Sequence, residues 1–348
     1  MNAKPKITVL HGASLNGGDF LIYRRGRDLL EKYLKDKLEF TYLPRFQEIE
    51  VDETDGLIIL GGPILTRKMH PQTMHIKKLI EKLERKRGEI PVVTLGIGVS
   101  SAYSPSYKEY FTDEESVRFW KRVYESSKLV SVRDVETKKV LEAYGIKPRL
   151  TGCPALYNME WEAMMPPKKI DSILISLPGS GRHKIWNLKH HSNTSVSYYL
   201  LKAIKRKMDG KKIGVAFQHG FNTKTMEKLE KLAGNLGMET HDISGKSIDE
   251  TEVLEGYSMH IGPRLHLHIA FLTSKKPSYL LDIDLRTHAF LNTINTPHES
   301  FTKKGVDNIL QLASKDNSEA FKVAESEINR YRKELEKYMA DIGSLFLK

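Results

Sequence analysis

Hydrophobic residues along this chain follow two alternating patterns. Short continuous apolar or β-branched runs, "KITVLH" (6–11), "LEFTYL" (38–43), "GLIIL" (56–60), "PVVTLG" (91–96) and "KLVSV" (128–132), alternate with longer stretches of helical periodicity at 19–36, 72–88, 114–127 and 135–144. Continuous runs of this length predict strands buried on both faces, and the alternation predicts a parallel sheet with helices on either side. "TDEESVRFW" predicts a helix capped by Thr112 or Asp113 ahead of acidic first-turn residues.

The double proline of "YNMEWEAMMPPKKI" (157–170) interrupts the alternation and reads as a linker. The pattern then restarts, with strands predicted at 172–177, 212–217, 238–243, 257–261 and 277–281 and helices at 194–208, 222–236, 248–256, 264–274 and 303–314. The final stretch, "DNSEAFKVAESEINRYRKELEKYMADIGSLF", predicts one long amphipathic helix begun by an Asn or Ser cap. The expected fold class is α/β: two Rossmann-like doubly wound domains, 1–160 and 170–315, facing a central cleft. A C-terminal helix, 316–348, is expected to pack back on them.

Composition narrows the function classes. A chain of 348 residues suits two domains rather than one. No apolar run approaches the roughly 20 residues that cross a bilayer. The charged start "MNAKPKITVLHG" enters a strand at once, so no secretory signal is expected. Cys153 is the single cysteine, which excludes an intrachain disulfide and a Cys-rich zinc site. Lys and Arg number 55 against 44 Asp and Glu, a net charge of +11 and a sequence pI near 9.3. The excess favours anionic partners such as phosphorylated metabolites or an anionic membrane surface. With no RNA-recognition signature, zinc finger or Arg-rich tail, nucleic acid is not expected. A cytoplasmic protein is expected, with peripheral contact at the inner face of a membrane left open.

Doubly wound sheets bind ligands outside the carboxyl ends of their strands, so polar residues just after a strand are site candidates. After the first strand, "HGASLNGGDF" offers Gly17 and Gly18 for close backbone approach and Asp19 as either a helix cap or a site carboxylate. Neither G-x-G-x-x-G nor a phosphate-loop motif is present. Gly61 and Gly62 after the third strand read as a tight turn or a ligand contact. Arg133 ends the fifth strand, with Asp134 placed to cap the next helix. A buried guanidinium there needs a protein carboxylate or an anionic ligand. In the second half, "SLPGSGRHKIW" joins a glycine-rich turn to Arg182 and His183, either an anion nest or a plain loop, and His219 follows the next strand.

"HIGPRLHLHIA" (260–270) carries the densest chemistry. Gly262 and Pro263 hand a strand over to a helix, which puts Arg264 and His266 in a first turn whose free N–H groups and dipole attract anions. Positions 266 and 268 point about 200° apart on a helix, so at most one of these histidines joins Arg264 at a ligand. The other is a packed residue, and a zinc site built from His260, His266 and His268 is not expected.

Together these motifs resemble the polysaccharide pyruvyltransferase family. Asn16, Gly18 and Asp19 match its N-x-G-D turn, and Asp55 with "GLIILGGPIL" its glycine-rich strand end. "VSVRDVETKKVLEAYG" matches its "vsvRD" segment with Thr137 in place of Ser, and "HIGPRLHLHIAF" its "vigxRlHalifA" segment, with Arg264, Leu265 and His266 in register. Departures are Cys153 for the aspartate of Asp-Pro-Ala-Leu, Pro63 for a third glycine, and Arg286 of "LLDIDLRTHAF" for a lysine. The resemblance implies a GT-B-like fold and transfer of a pyruvyl ketal from phosphoenolpyruvate to a hydroxyl pair of a sugar, oligosaccharide or lipid-linked glycan. No cofactor or metal is implied beyond the donor substrate. It further implies donor contacts from Arg133 and Arg264 on the two domains, His266 as general acid or as the group that stabilises the departing phosphate, and Asp19 to orient or deprotonate the acceptor. Asn16, Gly18, Arg182, Leu265 and Arg286 are the other expected substrate contacts. Alternative readings are a nucleotide-sugar glycosyltransferase of the same fold and a catalytically silent glycan- or anion-binding homologue.

Overall fold

A computed structural model describes residues 3–51, 53–100, 106–178, 193–218, 223–315 and 318–347. By contacts the chain divides into two units, Met1–Ser14, Ile22–Tyr157 and Asn329–Lys348 in the first, Leu15–Leu21 and Asn158–Ile328 in the second. Seven residues from the N-terminal half thus belong to the second unit.

The first unit is built on β1 (Lys6–His11), β2 (Glu39–Pro44), β3 (Gly56–Leu65), β4 (Val92–Val99), β5 (Ser131–Val132) and β6 (Arg149–Leu150). Among the described residues they form one parallel sheet in the order β2-β1-β3-β4-β5-β6. Its helices are α1 (Gly17–Leu34), which begins in the other unit, α2 (Pro71–Arg87), α3 (Glu114–Ser127) and α4 (Val135–Ala143). Ile7, Val9, Ile58, Leu60, Val93 and Leu95 pack against Leu29, Leu30 and Leu34 of α1. Leu335, Tyr338, Met339 and Ile342 from the last turns of α11 (Ser318–Phe346) complete that cluster. Each such aliphatic side chain contributes about 2 kcal/mol on burial.

The second unit holds β7 (Ser172–Ser176), β8 (Lys212–Phe217), β9 (Glu239–Asp242), β10 (Met259–Gly262), β11 (Ser278–Asp282) and β12 (His298–Ser300). Its described strands are also parallel, in the order β12-β11-β10-β7-β8-β9. That is the Rossmann order, in which the winding reverses between β7 and β10. The helices are α5 (Asn193–Lys207), α6 (Lys224–Asn235), α7 (Val253–Gly256), α8 (Leu265–Thr273), α9 (Leu285–Leu291) and α10 (Lys303–Ala313).

Several sequence expectations change in detail. The run 128–132 gives a strand only at Ser131–Val132, because Lys128 closes α3 in the left-handed conformation (φ 58°). Ser131 then trades hydroxyl bonds with its neighbours, accepting from the Gly96 amide at 2.9 Å and meeting Thr151 at 2.5 Å. The single helix expected over 248–256 is broken into a 3₁₀ turn, Ile248–Glu250, and the four-residue α7. Strands β6 and β12 and helix α9 were not anticipated. Asp113 and Asp134 cap α3 and α4, each accepting a first-turn amide at 2.7 Å.

Candidate active site

The reversal point between β7 and β10 is where chemistry collects. Gly262 sits at φ 154°, and a β-carbon there would lie 2.3 Å from Ser176 Oγ, so only glycine lets the two strand ends approach this closely. Pro263 follows, and Arg264 occupies the N-cap position of α8. Its backbone N–H donates to Ser176 Oγ (3.2 Å) and its Nε to the Leu177 carbonyl (2.6 Å), which fixes the half-buried side chain over the helix start. No ion pair joins Arg264 to a carboxylate among the described residues. Burial, with Arg286 nearby, pushes its guanidinium down to about 10 against the pull of Asp284 and Asp19, so it remains a cation at neutral pH.

Two further loops close around this turn. Asp284 caps α9 through the amides of Arg286 and Thr287 and receives the Arg286 guanidinium, Nε at 3.1 Å and Nη2 at 2.5 Å on Oδ2. Burial opposes the charge on Arg286, but Asp284 and Asp19 overcome it and hold the group above its ordinary value. The segment Leu15–Leu21 supplies Asp19. Asn16 Oδ1 accepts from the Gly18 amide at 3.0 Å, and the Gly17 amide donates to the Gln218 carbonyl at 3.3 Å. A β-carbon on Gly17 would meet the Ile243 carbonyl at 2.4 Å, and one on Gly18 would come within 2.8 Å of His266 Cβ and Nδ1. Gly18 therefore lets the start of α1 lie directly against the His266 side chain, and Gly17 lets it lie against the Ile243 carbonyl. Asn16, Gly18, Asp19, Arg264, Leu265, His266 and Arg286 share one unit and one sheet edge.

The other two histidines of the stretch point into the core. His260 and His268 are fully enclosed and joined through Ser278 Oγ, each Nδ1 at 2.7 Å from it. His260 Nε2 reaches Ser176 Oγ (2.9 Å) and His268 Nε2 reaches Thr296 Oγ1 (3.1 Å). The Arg264 amide can only donate to Ser176. Together these contacts form one continuous chain from Ser176 through His260, Ser278 and His268 to Thr296. Burial pushes His260 down to about 3 and His268 well below its ordinary value, so both are neutral links.

Arg133 belongs to the first unit. It is 5% exposed, donates from Nε to Asp134 (3.1 Å) and from Nη2 to the Val99 carbonyl (3.2 Å), and packs so closely on Gly98 that a β-carbon there would touch Nε at 2.1 Å. Its described contacts are thus with the capping carboxylate and the end of β4. Cys153 lies buried near Arg133, and burial pushes its thiol up to about 11, so no carboxylate or thiolate stands there. Pro63 falls within the register shift of β3 against β4 between Gly62 and Leu65, where the missing N–H breaks no ladder. Arg182, His183 and His219 lie outside the described residues.

Two strand-end residues were missed although they satisfy the rule that found Arg133. Arg45, just past β2, is 3% exposed and fills the space beside Gly12 and Gly62. It donates from Nη1 to the carbonyls of Leu60 (2.9 Å) and Gly61 (3.1 Å) and from Nε to Gln72 Oε1 (3.1 Å). His11 ends β1, stacks on Tyr23 at 4.1 Å, and is pushed down to about 4 by burial and by Arg45. Gly12 and Gly62 thus frame an internal arginine.

Two parallel Rossmann-type sheets, with a basic helix start at the reversal point of the second, define a two-domain GT-B-type scaffold. The solved structures agree on the fold. A Listeria monocytogenes protein assigned as a UDP-N-acetylglucosamine 2-epimerase superposes with TM-score 0.60 at 12% identity, covering 99% of this chain and 97% of its own. The Neisseria meningitidis UDP-GlcNAc 2-epimerase bound to UDP-GlcNAc gives 0.58 at 11% over 92% and 94%. The lipopolysaccharide outer core galactosyltransferase WaaB, in its apo form, gives 0.52 at 11% over 98% of both chains. No curated protein matches the chain in sequence. The polysaccharide pyruvyl transferase family model matches residues 16–284, and the chain belongs to that family. No helix among the described residues is long and apolar enough to cross a membrane.

Proposed function

We propose that the chain moves a pyruvyl group from phosphoenolpyruvate to two hydroxyls of a sugar, oligosaccharide or lipid-linked glycan, releasing phosphate and needing no cofactor. The observation that carries this reading is Arg264 at the open start of α8, without a carboxylate ion pair among the described residues, next to His266 and Arg286. Phosphoenolpyruvate presents a carboxylate and a phosphate on one small frame, and fixed guanidiniums with helix N–H groups suit both.

In this mechanism Arg264 and Arg286 hold the donor anions. His266 gives a proton to the vinyl carbon, leaving an oxocarbenium-like centre that one sugar hydroxyl attacks. Asp19 accepts that hydroxyl's proton. The second hydroxyl then displaces phosphate, its proton leaving with the phosphate, and the ketal closes. Arg133 acts in this scheme as the buried support of the β4 end.

The test is phosphate release from phosphoenolpyruvate with galactose-, mannose- and glucosamine-type acceptors. Absence of both release and binding across the panel defeats the proposal. Binding of a uridine or guanosine diphosphate sugar, with phosphoenolpyruvate left intact, assigns a glycosyltransferase instead.

A further inference from the structure

Behind the Arg264 turn the buried histidine chain closes into a ring. The Arg264 N–H donates to Ser176 Oγ at 3.2 Å, and the Arg264 carbonyl accepts the His268 N–H at 3.0 Å in the first helical bond of α8. Ser176 and His268 are also joined from the other side, through His260 and Ser278. The path therefore leaves Arg264 by its amide, crosses β7, β10 and β11, and returns by its carbonyl. Both rings are packed as well as bonded, His260 against Phe271 at 5.5 Å and His268 edge to face on Phe290 at 5.5 Å.

Proton counting gives this chain a direction. Burial keeps both histidines neutral. Ser176, His260, Ser278, His268 and Thr296 then carry one such proton each, five protons for the four contacts between them. One proton is left over, and it is least costly where the chain is least enclosed. Ser176, His260, His268 and Ser278 are fully enclosed, whereas Thr296 is 3% exposed. With the surplus at Thr296, Ser176 donates to His260 Nε2, His260 Nδ1 to Ser278, Ser278 to His268 Nδ1, and His268 Nε2 to Thr296. The Ser176 proton is thereby turned onto His260, and a lone pair faces the Arg264 amide. The reversed chain would strand the surplus proton on enclosed Ser176, beside that amide.

We propose that His260 is a positioning residue: acting through Ser176, it fixes the N-cap turn of α8 and so the aim of the Arg264 guanidinium. The Arg264 Nε bond ends on the Leu177 carbonyl, one residue past Ser176, so amide and guanidinium are fastened to adjacent points of one strand end. The proposal rests on the reading of Arg264 as the cation that holds the donor, but its first tests need no donor.

Full-length protein carrying isotope-labelled histidine and arginine is examined by NMR at neutral pH, with Arg264→Lys and the His260 variants identifying the signals. His260 is expected to hold its proton on Nδ1 and His268 on Nε2. In His260→Gln the amide reaches the place of Nε2 and keeps the Ser176 bond, so hydrogen exchange at Arg264 Nε should stay within about threefold of wild type. In His260→Asn the amide reaches only the place of Nδ1, and exchange should quicken about tenfold, the equivalent of one hydrogen bond. A merely structural histidine predicts the same exchange in both variants. If either variant fails to fold, Ser176→Ala takes its place and should quicken exchange about tenfold. Titration with phosphoenolpyruvate should then show about tenfold weaker binding in His260→Asn and recovery in His260→Gln. A wild type that does not bind phosphoenolpyruvate defeats the transferase reading and leaves the exchange and proton positions to decide on His260. Protons on the same nitrogen of both rings, equal exchange in the Gln and Asn variants, unchanged exchange in Ser176→Ala, or wild-type affinity in His260→Asn overturns the proposal.

Discussion

The two sheets reverse their winding at corresponding places and use arginine there in opposite ways. In the first unit Arg45 sits at the β1–β3 reversal with its bonds turned inward to two carbonyls and Gln72, and His11 beside it is held neutral. In the second, Arg264 spends Nε on the Leu177 carbonyl and stands at a helix start, with Asp19 and Asp284 near enough to modulate its charge. A fold position that favours ligand binding is therefore not itself a binding site. The difference lies in whether the backbone has already consumed the cation.

Breaking the contrast from the second unit should have the largest effect. Arg264→Ala and His266→Ala are each expected to lower kcat/KM for phosphate release by about 10²–10⁴-fold. Thermal unfolding should show both folded near the wild-type midpoint. Arg45→Ala should do the reverse, removing about 3 kcal/mol of stability by stranding the Leu60 and Gly61 carbonyls, measured by urea unfolding. If Arg45→Ala is stable but inactive, the first reversal point is a ligand site after all. Gly18→Ala should sharpen the picture, because its β-carbon displaces His266. A fall in kcat of roughly tenfold to a hundredfold with intact folding is expected.

The smallest effect is acid sensitivity. His260 has a folded value of about 3 against 6.5 unfolded, so its contribution is complete above 6.5 and is lost as pH falls towards 3. The slope is about 1.4 kcal/mol per pH unit for that one histidine. His268 adds in the same direction. Chemical unfolding between neutral pH and pH 4 should therefore show a shallower loss in His260→Gln than in wild type, its neutral-pH stability being lower.

Much of the fold was legible because buried parallel strands are long apolar runs and the caps Asp113 and Asp134 announce themselves. Strands β6 and β12 were not, since two or three residues carry no periodicity and their pairing is decided by neighbours already in place. Helix α9 was missed for a related reason, as seven residues begun by Asp284 offer a cap but little amphipathic face. At the candidate site, strand-end position and the Gly-Pro break pointed to Arg264 and His266, and the structure puts Arg264 at the N-cap and His266 in the first turn of α8. The assignment of His260 and His268 to a serine-linked chain needed the register of β10 with β11, which puts His260 opposite Ser278. Arg45 escaped notice because a glycine such as Gly62 advertises open space, and no local signal says that a side chain from beyond another strand fills it.

The membership of residues 15–21 bears on how the chain can be dissected. A gene cut after residue 157 looks natural by sequence, yet the downstream fragment would lack the strip carrying Asn16, Gly17, Gly18 and Asp19. That fragment would expose the Gln218 carbonyl that Gly17 now covers and leave the flank of His266 bare. Supplying the strip as a synthetic peptide, or splicing it on as an added terminus, is the condition for studying the second unit in isolation.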